Sequence, residues 1–580
     1  MSGLRSARWF DAPGVAGVQH RAYLKSEGIT QAAMSRRPIV GIANSWSELV
    51  NCNLHFRALA AAVKRGVLQA GGLPLEFPTI SLGEVFMKPT TMLFRNLMAM
   101  DVEETLRANP LDAVVLLVGC DKTIPASLMG AASVDLPTIV VTAGARESGV
   151  FCGRQIGSAT DLWHYTDELR AGRMSQEDYD ELEATLVPST GHCAEMGTAS
   201  TMSGIVEALG LALPGTAAIP AVDARRSAVA EAAGRRAVEL AHEGLRPSNL
   251  LTAEAFDNAI TLLMGLGGST NAVVHLLALA GRVGVPLSLT RFDELSRQTP
   301  WIVNVRPSGK HLMEHLFRAG GVPAVLKELL PLLHGDAMTV TGQSLARNVV
   351  DARVHDRDVI ATLDTPLGSG GGIAVLSGNL APNGALIKRS AASAELLRHR
   401  GRAVVFDDID DIALRIDEQA LEVDASSVLV LKNAGPKGAP GMPEWGQLPI
   451  PKKLLREGVS DMVRISDARM SGTSFGTVVL HVSPESAIGG PLGLVETGDE
   501  IDLDVEERRM QLLVPDRELQ ARAAHFKAAP PKYRRGYGAL YLDHVLQADQ
   551  GCDFDFLRKL PDEPPQTDPL GLVGGAIGGW

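Results

Sequence analysis

The chain has 580 residues, 45% of them hydrophobic and 21% charged, which excludes a disordered or fibrous protein and leaves room for two domains. Its 55 basic and 67 acidic residues give a net charge of -12, which argues against a general nucleic-acid or anionic-membrane surface. A small anionic substrate remains open, because a local site can differ in sign from the whole.

In chain order, Cys52 stands just before Leu54–Ala70, where Phe56, Leu59, Val63 and Val67 follow helical spacing and predict an amphipathic helix. Asp112–Gly119 is a short apolar run rich in Val and Leu, read as a buried parallel strand. Ser127–Ala132 suits a packed helix and Pro137–Thr142 a second strand. A helix is expected from Met202, shortly after Cys193. Ser269, Thr270 and Asn271 can cap the apolar helix that runs through Val273, Leu276 and Ala280. This alternation predicts an α/β domain.

After about residue 355 the texture changes to short strand-like runs. They are Val359–Leu363, Ile373–Leu376, Ala403–Phe406, Val428–Leu431, Met462–Ile465, Thr477–Val482, Ile501–Val505 and Met510–Val514, the last two forming a hairpin. Many short strands with Gly- and Pro-rich connections predict a barrel or sandwich. The boundary is placed near 355–365, giving domains 1–360 and 361–580, and Pro561–Pro569 reads as an extended tail. No run of about 18 apolar residues offers a membrane span, and the first residues lack the apolar stretch of a signal peptide. A cytoplasmic protein is expected, with Cys52, Cys120, Cys152, Cys193 and Cys552 mostly reduced.

The strongest local signal is Gly119-Cys120-Asp121-Lys122, at the end of a predicted strand. Ligands bind beyond the carboxyl ends of strands in open α/β sheets, and a thiol, a carboxylate and an amine arrive there together. Thiolate suits a soft metal and carboxylate a hard one. A buried cysteine beside a surface ion pair is the alternative, and spacing does not decide between them. Cys193, in a small and polar segment before a helix, and Cys52 are both placed where a helix N-terminus stabilises thiolate. Convergence of the three thiols is open at this point, since their separations match no zinc-finger spacing. His55 and His192 adjoin cysteines and read as hydrogen-bonding neighbours rather than ligands, and Cys152 and Cys552 as non-ligands. Glu84 and Glu444, taken singly, read as surface carboxylates. Asn433–Gly441 and Ser466–Gly476 are loops dense in Gly, Pro and Ser; the first allows close backbone approach to a ligand, and the second offers serines that act as base, nucleophile or plain turn residues.

Seven segments in order carry a resemblance over nearly the whole chain: NCNLH at Cys52, VGCDKTIPASLMGAAS at Cys120, STGHCAEMGTASTM at Cys193, GLGGSTNAVVHL at 265–276, GGIAVLSGNLAPNGALIK at 371–388, NAGPKGAPGMPE at 433–444 and SDARMSGTSFGTVVLHVSPE at 466–485. Together they resemble the dihydroxy-acid and sugar-acid dehydratase family. The resemblance implies an N-terminal α/β domain with a parallel sheet, a C-terminal β-barrel-like domain, and a site between them. It implies a 2Fe–2S cluster on Cys52, Cys120 and Cys193, although family members with a 4Fe–4S cluster exist. It implies Mg²⁺ on Glu84, Asp121 and Glu444, with Lys122 at the position that becomes carbamylated and also ligates Mg²⁺. Ser471 matches the base, and Ser269, Thr270, Asn271 and Thr473 are the candidates for substrate contact. A homodimer or homotetramer is implied as well. Phe86–Glu104 resembles the branch that dehydrates aldonates; 2,3-dihydroxyisovalerate is the alternative substrate. Leu82-Gly83 before Glu84, Ala434, and the terminal GGAIGGW depart from the expected pattern. A non-catalytic iron–sulfur protein would need only the thiols, and a zinc hydrolase using the same thiols would be colourless; the joint presence of Glu84, Asp121, Lys122, Glu444 and Ser471 favours the enzyme.

Overall fold

The computed structural model describes residues 3–34, 36–445 and 447–560. The tail predicted at Pro561–Pro569 and the terminal GGAIGGW lie outside them.

The first half is built on four parallel strands: β1 (Ile39–Asn44), β2 (Leu73–Pro78), β3 (Ala113–Val118) and β4 (Thr138–Thr142), in the order β2-β1-β3-β4. Helices cover the sheet, so β1, β3 and β4 are buried at every position, which is why β3 reads as an unbroken Val/Leu run. Helix α1 (Phe56–Gln69) turns Phe56, Leu59, Val63 and Val67 inward as its spacing predicts. Helix α2 (Thr123–Val134) follows directly on β3 and is almost wholly buried. Helix α3 spans Thr198–Ala208, so it begins four residues earlier than Met202. Helix α4 spans Asn271–Val283. Its N-cap is Thr270, whose side chain makes no capping bond; the Ser269 hydroxyl instead accepts from the Asn271 backbone N–H at 3.2 Å.

The second half closes eight strands into a barrel: β5 (Ala374–Gly378), β6 (Ala381–Ile387), β7 (Arg398–Phe406), β8 (Val428–Leu431), β9 (Arg464–Ser466), β10 (Val478–Ser483), β11 (Glu500–Asp504) and β12 (Arg509–Leu512), in the order β8-β9-β10-β6-β5-β12-β11-β7. Parallel pairing of β7 with β8 closes the ring, and β11–β12 is the predicted hairpin. In β8, Val428 and Val430 fill the barrel, while Leu429 and Leu431 pack outside it against Ile412, Leu454 and Leu455. Val359–Leu363 is not the predicted strand. Within it Ile360 makes one bridge, to Val303, and the segment packs into the first domain's core. Among the described residues no helix is long and apolar enough to cross a membrane.

Candidate active site

The site collects where the parallel sheet ends. β3 stops at Val118 and the chain turns through Gly119, Cys120, Asp121 and Lys122 into α2. This turn is tight: a Cβ on Gly119 would fall 2.4 Å from Ala143 Cβ and 2.6 Å from Asn53 Oδ1. The Thr123 hydroxyl accepts from the backbone N–H of both Gly119 and Cys120, at 3.1 and 2.9 Å.

The Lys122 side chain is 0% exposed and ends among carboxylates. Its ammonium lies 2.6 Å from Glu444, 3.0 Å from Glu84 and 3.5 Å from Asp121. Burial opposes that charge, but Glu444 and Glu84 hold its pKa above the ordinary lysine range. Burial pushes Asp121 up to about 6, with Glu444 and Glu84 adding to the rise and Lys122 opposing it. Burial would likewise raise Glu84, yet Lys122 and Arg469 bring it down to about 2. Glu84 also accepts from Thr90 Oγ1 at 2.9 Å and from the Thr91 hydroxyl. Neither Glu84 nor Glu444 is the surface carboxylate that its local sequence predicts, because each is drawn inward onto a cation from elsewhere in the chain.

Glu444 comes from the second half. The two-residue strand Glu444–Trp445 pairs in parallel with Arg469–Met470, in register Glu444 to Arg469. Arg469 donates to Glu444 at 2.7 Å and to Thr90 Oγ1 at 3.1 Å. The next residue, Ser471, donates its backbone N–H to the Trp445 carbonyl at 2.7 Å. This short ribbon therefore fixes Ser471 to Trp445, the residue after Glu444. The Ser471 and Thr473 hydroxyls are 2.7 Å apart. Asn271 Nδ2 donates to Glu444 at 3.1 Å, to Thr198 Oγ1 at 3.1 Å and to the Met470 carbonyl at 3.2 Å. Ser269 shares a hydrogen bond with Thr198 at 2.9 Å, and a Cβ on Gly472 would lie 2.6 Å from Ser269 Oγ. Ser269 and Asn271 thus join through Thr198, Ser471 and Thr473 bond each other, and the two pairs meet through the Met470 carbonyl and the Gly472 backbone, whereas among the described residues no side-chain hydrogen bond draws in Thr270.

The thiols lie on the loops after β1, after β3 and before α3. Cys52 and Cys120 are coupled: the interaction with Cys120 lowers the Cys52 thiol, and that with Cys52, together with burial, raises the Cys120 thiol. Cys193 is held by the His192 backbone, which bonds Gly144 at 3.0 Å and Arg146 at 2.9 Å. The Cys193 thiol does not behave as a helix-start cysteine. It precedes α3 by five residues, and burial pushes it up to about 12, against the expected stabilised thiolate. The Arg146 guanidinium acts electrostatically on all three thiols while donating to the Gly191 and His192 carbonyls. His55 bonds the Ala143 carbonyl at 3.0 Å and Thr190 at 3.2 Å, and burial lowers it to about 4. Burial likewise lowers His192 to about 3, so both rings are neutral. Cys152 lies in an exposed turn, and Cys552 is buried against Met442.

Among the described residues no group of three or more His, Cys, Asp or Glu side chains is disposed to hold a metal ion as it stands. The physical reason is that the Glu84, Asp121 and Glu444 carboxylates converge on an ammonium. Sequence reasoning missed Thr90, Thr91, Thr198, Arg146 and Thr160. Thr198 stands inside a quoted motif and Thr90 and Thr91 inside Phe86–Glu104, but Arg146 and Thr160 reach their partners only through the fold.

The profile of the dihydroxy-acid/6-phosphogluconate dehydratase N-terminal region matches residues 37–348, and that of the C-terminal region matches residues 358–552. The chain belongs to the dihydroxy-acid/6-phosphogluconate dehydratase family. This dehydratase, a carbon–oxygen lyase, is 54% identical to the L-arabonate dehydratase of Azospirillum brasilense, over 96% of this chain and 97% of the other. It is 51% identical to the L-arabinonate dehydratase of Rhizobium leguminosarum bv. trifolii, over 96% of both chains. It is 43% identical to a dihydroxy-acid dehydratase of Ignicoccus hospitalis, over 93% of this chain and 98% of the other.

Proposed function

We propose that the protein dehydrates aldonates, 2,3-dihydroxy acids of sugar origin, to 2-keto-3-deoxy acids. The observation that carries this reading is the ribbon that pairs Glu444, a member of the Lys122 carboxylate group, with Arg469, two residues before Ser471, in a family whose members named above include two named for arabinonate.

The residues fit the two groups that the family resemblance implies. Three thiols from separate loops share the electrostatic influence of the Arg146 guanidinium, and thiolates are donors suited to soft iron. Three carboxylates form a hard-oxygen set suited to Mg²⁺. Lys122 as an ammonium would repel a divalent cation, whereas its carbamate would join the carboxylates as a fourth oxygen donor. Cys52, Cys120 and Cys193 would hold a 2Fe–2S cluster, and Glu84, Asp121, Lys122 and Glu444 would hold Mg²⁺. When bound, these groups supply Lewis acidity to the C3 hydroxyl and to the carboxylate with its C2 hydroxyl.

The chain's own residues then have distinct tasks. Ser471 Oγ, as an alkoxide, takes the C2 proton; a neutral serine is too weak a base, so the site must stabilise its charge. The C3–O bond breaks with its electron pair on oxygen, and the departing hydroxide takes the proton that Ser471 Oγ removed from C2, leaving as water and restoring the alkoxide. The enol that remains loses its O–H proton to solvent, gains a proton at C3 and becomes the 2-keto acid. Ser269, Asn271 and Thr473 offer neutral donors and acceptors to the substrate hydroxyls, and Thr270 stands beside them in the chain. In this reading the enzyme works as a homodimer or homotetramer in the cytoplasm.

The test is 2-keto acid formation by anaerobically purified protein with Mg²⁺, run on L-arabinonate, D-xylonate, D-gluconate and 2,3-dihydroxyisovalerate in parallel, with iron and sulfide assayed on the same sample. Turnover of the sugar acids by brown protein is the expected result. Turnover of dihydroxyisovalerate alone would move the protein to the other substrate class, and colourless active protein would remove the iron–sulfur assignment.

A further inference from the structure

A buried cation in the second half has no task in the scheme above. Strand β6 ends at Ile387 inside the barrel, and the next residue, Lys388, is only 9% exposed. Its ammonium donates to the Gly472 carbonyl at 3.2 Å, one residue beyond Ser471. Among the described residues no carboxylate forms an ion pair with it, and burial alone lowers it to about 7. A buried ammonium without an anion is costly to keep, and an apolar side chain of the same length would cost less.

The surroundings indicate what that cost sustains. The loop that carries Ser471 is held otherwise by neutral groups: Asn271 on the Met470 carbonyl at 3.2 Å, and the Thr160 hydroxyl on the Thr473 carbonyl at 2.6 Å. Arg469, two residues before Ser471, is neutralised by Glu444 at 2.7 Å. On the first domain's side the loop cannot shift inward, because Gly472 is packed against Ser269 and Thr198. Lys388 approaches from the barrel side and, when protonated, brings a positive charge that no carboxylate among the described residues cancels.

We propose that Lys388 is a positioning residue for proton transfer: seated on the Gly472 carbonyl, it fixes the Ser471 loop from the barrel side and its charge favours the Ser471 alkoxide. This rests on Ser471 being the base. Lys388 touches neither substrate nor metal in this role and acts through Ser471.

The test uses the full-length holoenzyme with Lys388→Met and Lys388→Arg, on whichever acid the unmodified enzyme turns over. Expected for Lys388→Met are a kcat lower by about 100-fold, a KM within about twofold, an unchanged visible iron–sulfur spectrum, and a thermal midpoint equal to or above that of the parent, because an unpaired buried charge is gone. Lys388→Arg keeps the charge and should recover at least about a tenth of the parent kcat. If Lys388→Met does not fold, the Arg variant and Lys388→Gln carry the same comparison of retained against removed charge. A kcat within about threefold of the parent in the uncharged variant, equal losses in charged and uncharged variants, or a loss confined to KM overturns the proposal. An active parent with indifferent Lys388 variants leaves the dehydratase reading standing, whereas a parent inactive on every hydroxy acid overturns both.

Discussion

Ser471 illustrates how little a residue's type fixes its role. A serine in a Gly- and Ser-rich loop is ordinarily a turn former. Here its backbone is bonded to Trp445, its hydroxyl to Thr473, and its neighbour Arg469 to Glu444. Ser471→Ala deletes one oxygen and leaves all the backbone bonds. Turnover should fall by at least about 100-fold, while the thermal midpoint and the visible spectrum match the parent; retained turnover would remove Ser471 as the base. The same scale shows why thiol chemistry misled the reading of Cys193. Its position before a helix predicts an easily ionised thiol, but four residues separate it from α3, and burial dominates over so distant a dipole.

At the scale of elements, Glu207 on α3 gives a sharp test of burial. Its side chain is 4% exposed and accepts from the backbone N–H groups of Gly215, at 3.0 Å, and of Ala217. Burial pushes it up to about 7, from an ordinary value of 4.5. Between those two values the folded protein keeps a proton that the unfolded chain has released. The stabilisation is therefore full below about pH 4.5 and is lost as pH rises through about 7, a difference of about 3 kcal/mol. Urea unfolding from pH 4.5 to 8 should show this decline in the parent and a flatter profile in Glu207→Gln; identical profiles would mean that Glu207 ionises normally in the fold. Of the elements buried on both faces, β3, β4 and β8 were legible in the sequence as short runs dominated by Val, Leu and Ile, whereas β1, equally buried, was not read as a strand. β2 was not, since Pro74 and Glu76 break its apolar pattern where it forms the sheet edge. Val359–Leu363 has the composition of a strand yet finds only Val303 to pair with, so its apolar side chains serve the core instead. The site was legible as motifs and not as geometry. No local pattern tells that Glu444 will meet Lys122, 322 residues away in the chain.

The whole molecule is tied together by the segment from Tyr541 to Phe554 as well as by the site. Residues Tyr541, Val545 and Phe554 pack with Met92 and Leu93 of the first half and Met442 of the second. Arg282, 0% exposed, pairs with Asp553 at 2.6 Å and with Glu103 at 2.8 Å. Asp553→Ala leaves that guanidinium half-compensated in a dry setting and should destabilise the protein by about 3 kcal/mol. Thermal melts followed by circular dichroism would register it; an unshifted midpoint would show that the segment contributes little to holding the halves together. The division of the site between the halves also imposes an order in time. Cys52, Cys120 and Cys193 are all synthesised before Glu444, which follows the last of them by 251 residues. At ordinary elongation rates that is a delay of roughly 10–50 s. On the proposed ligand sets, a nascent chain exposes its three thiols, with Asp121 and Lys122, well before the Glu444 carboxylate exists, so chronology would separate the loading of soft and hard metals before affinity does.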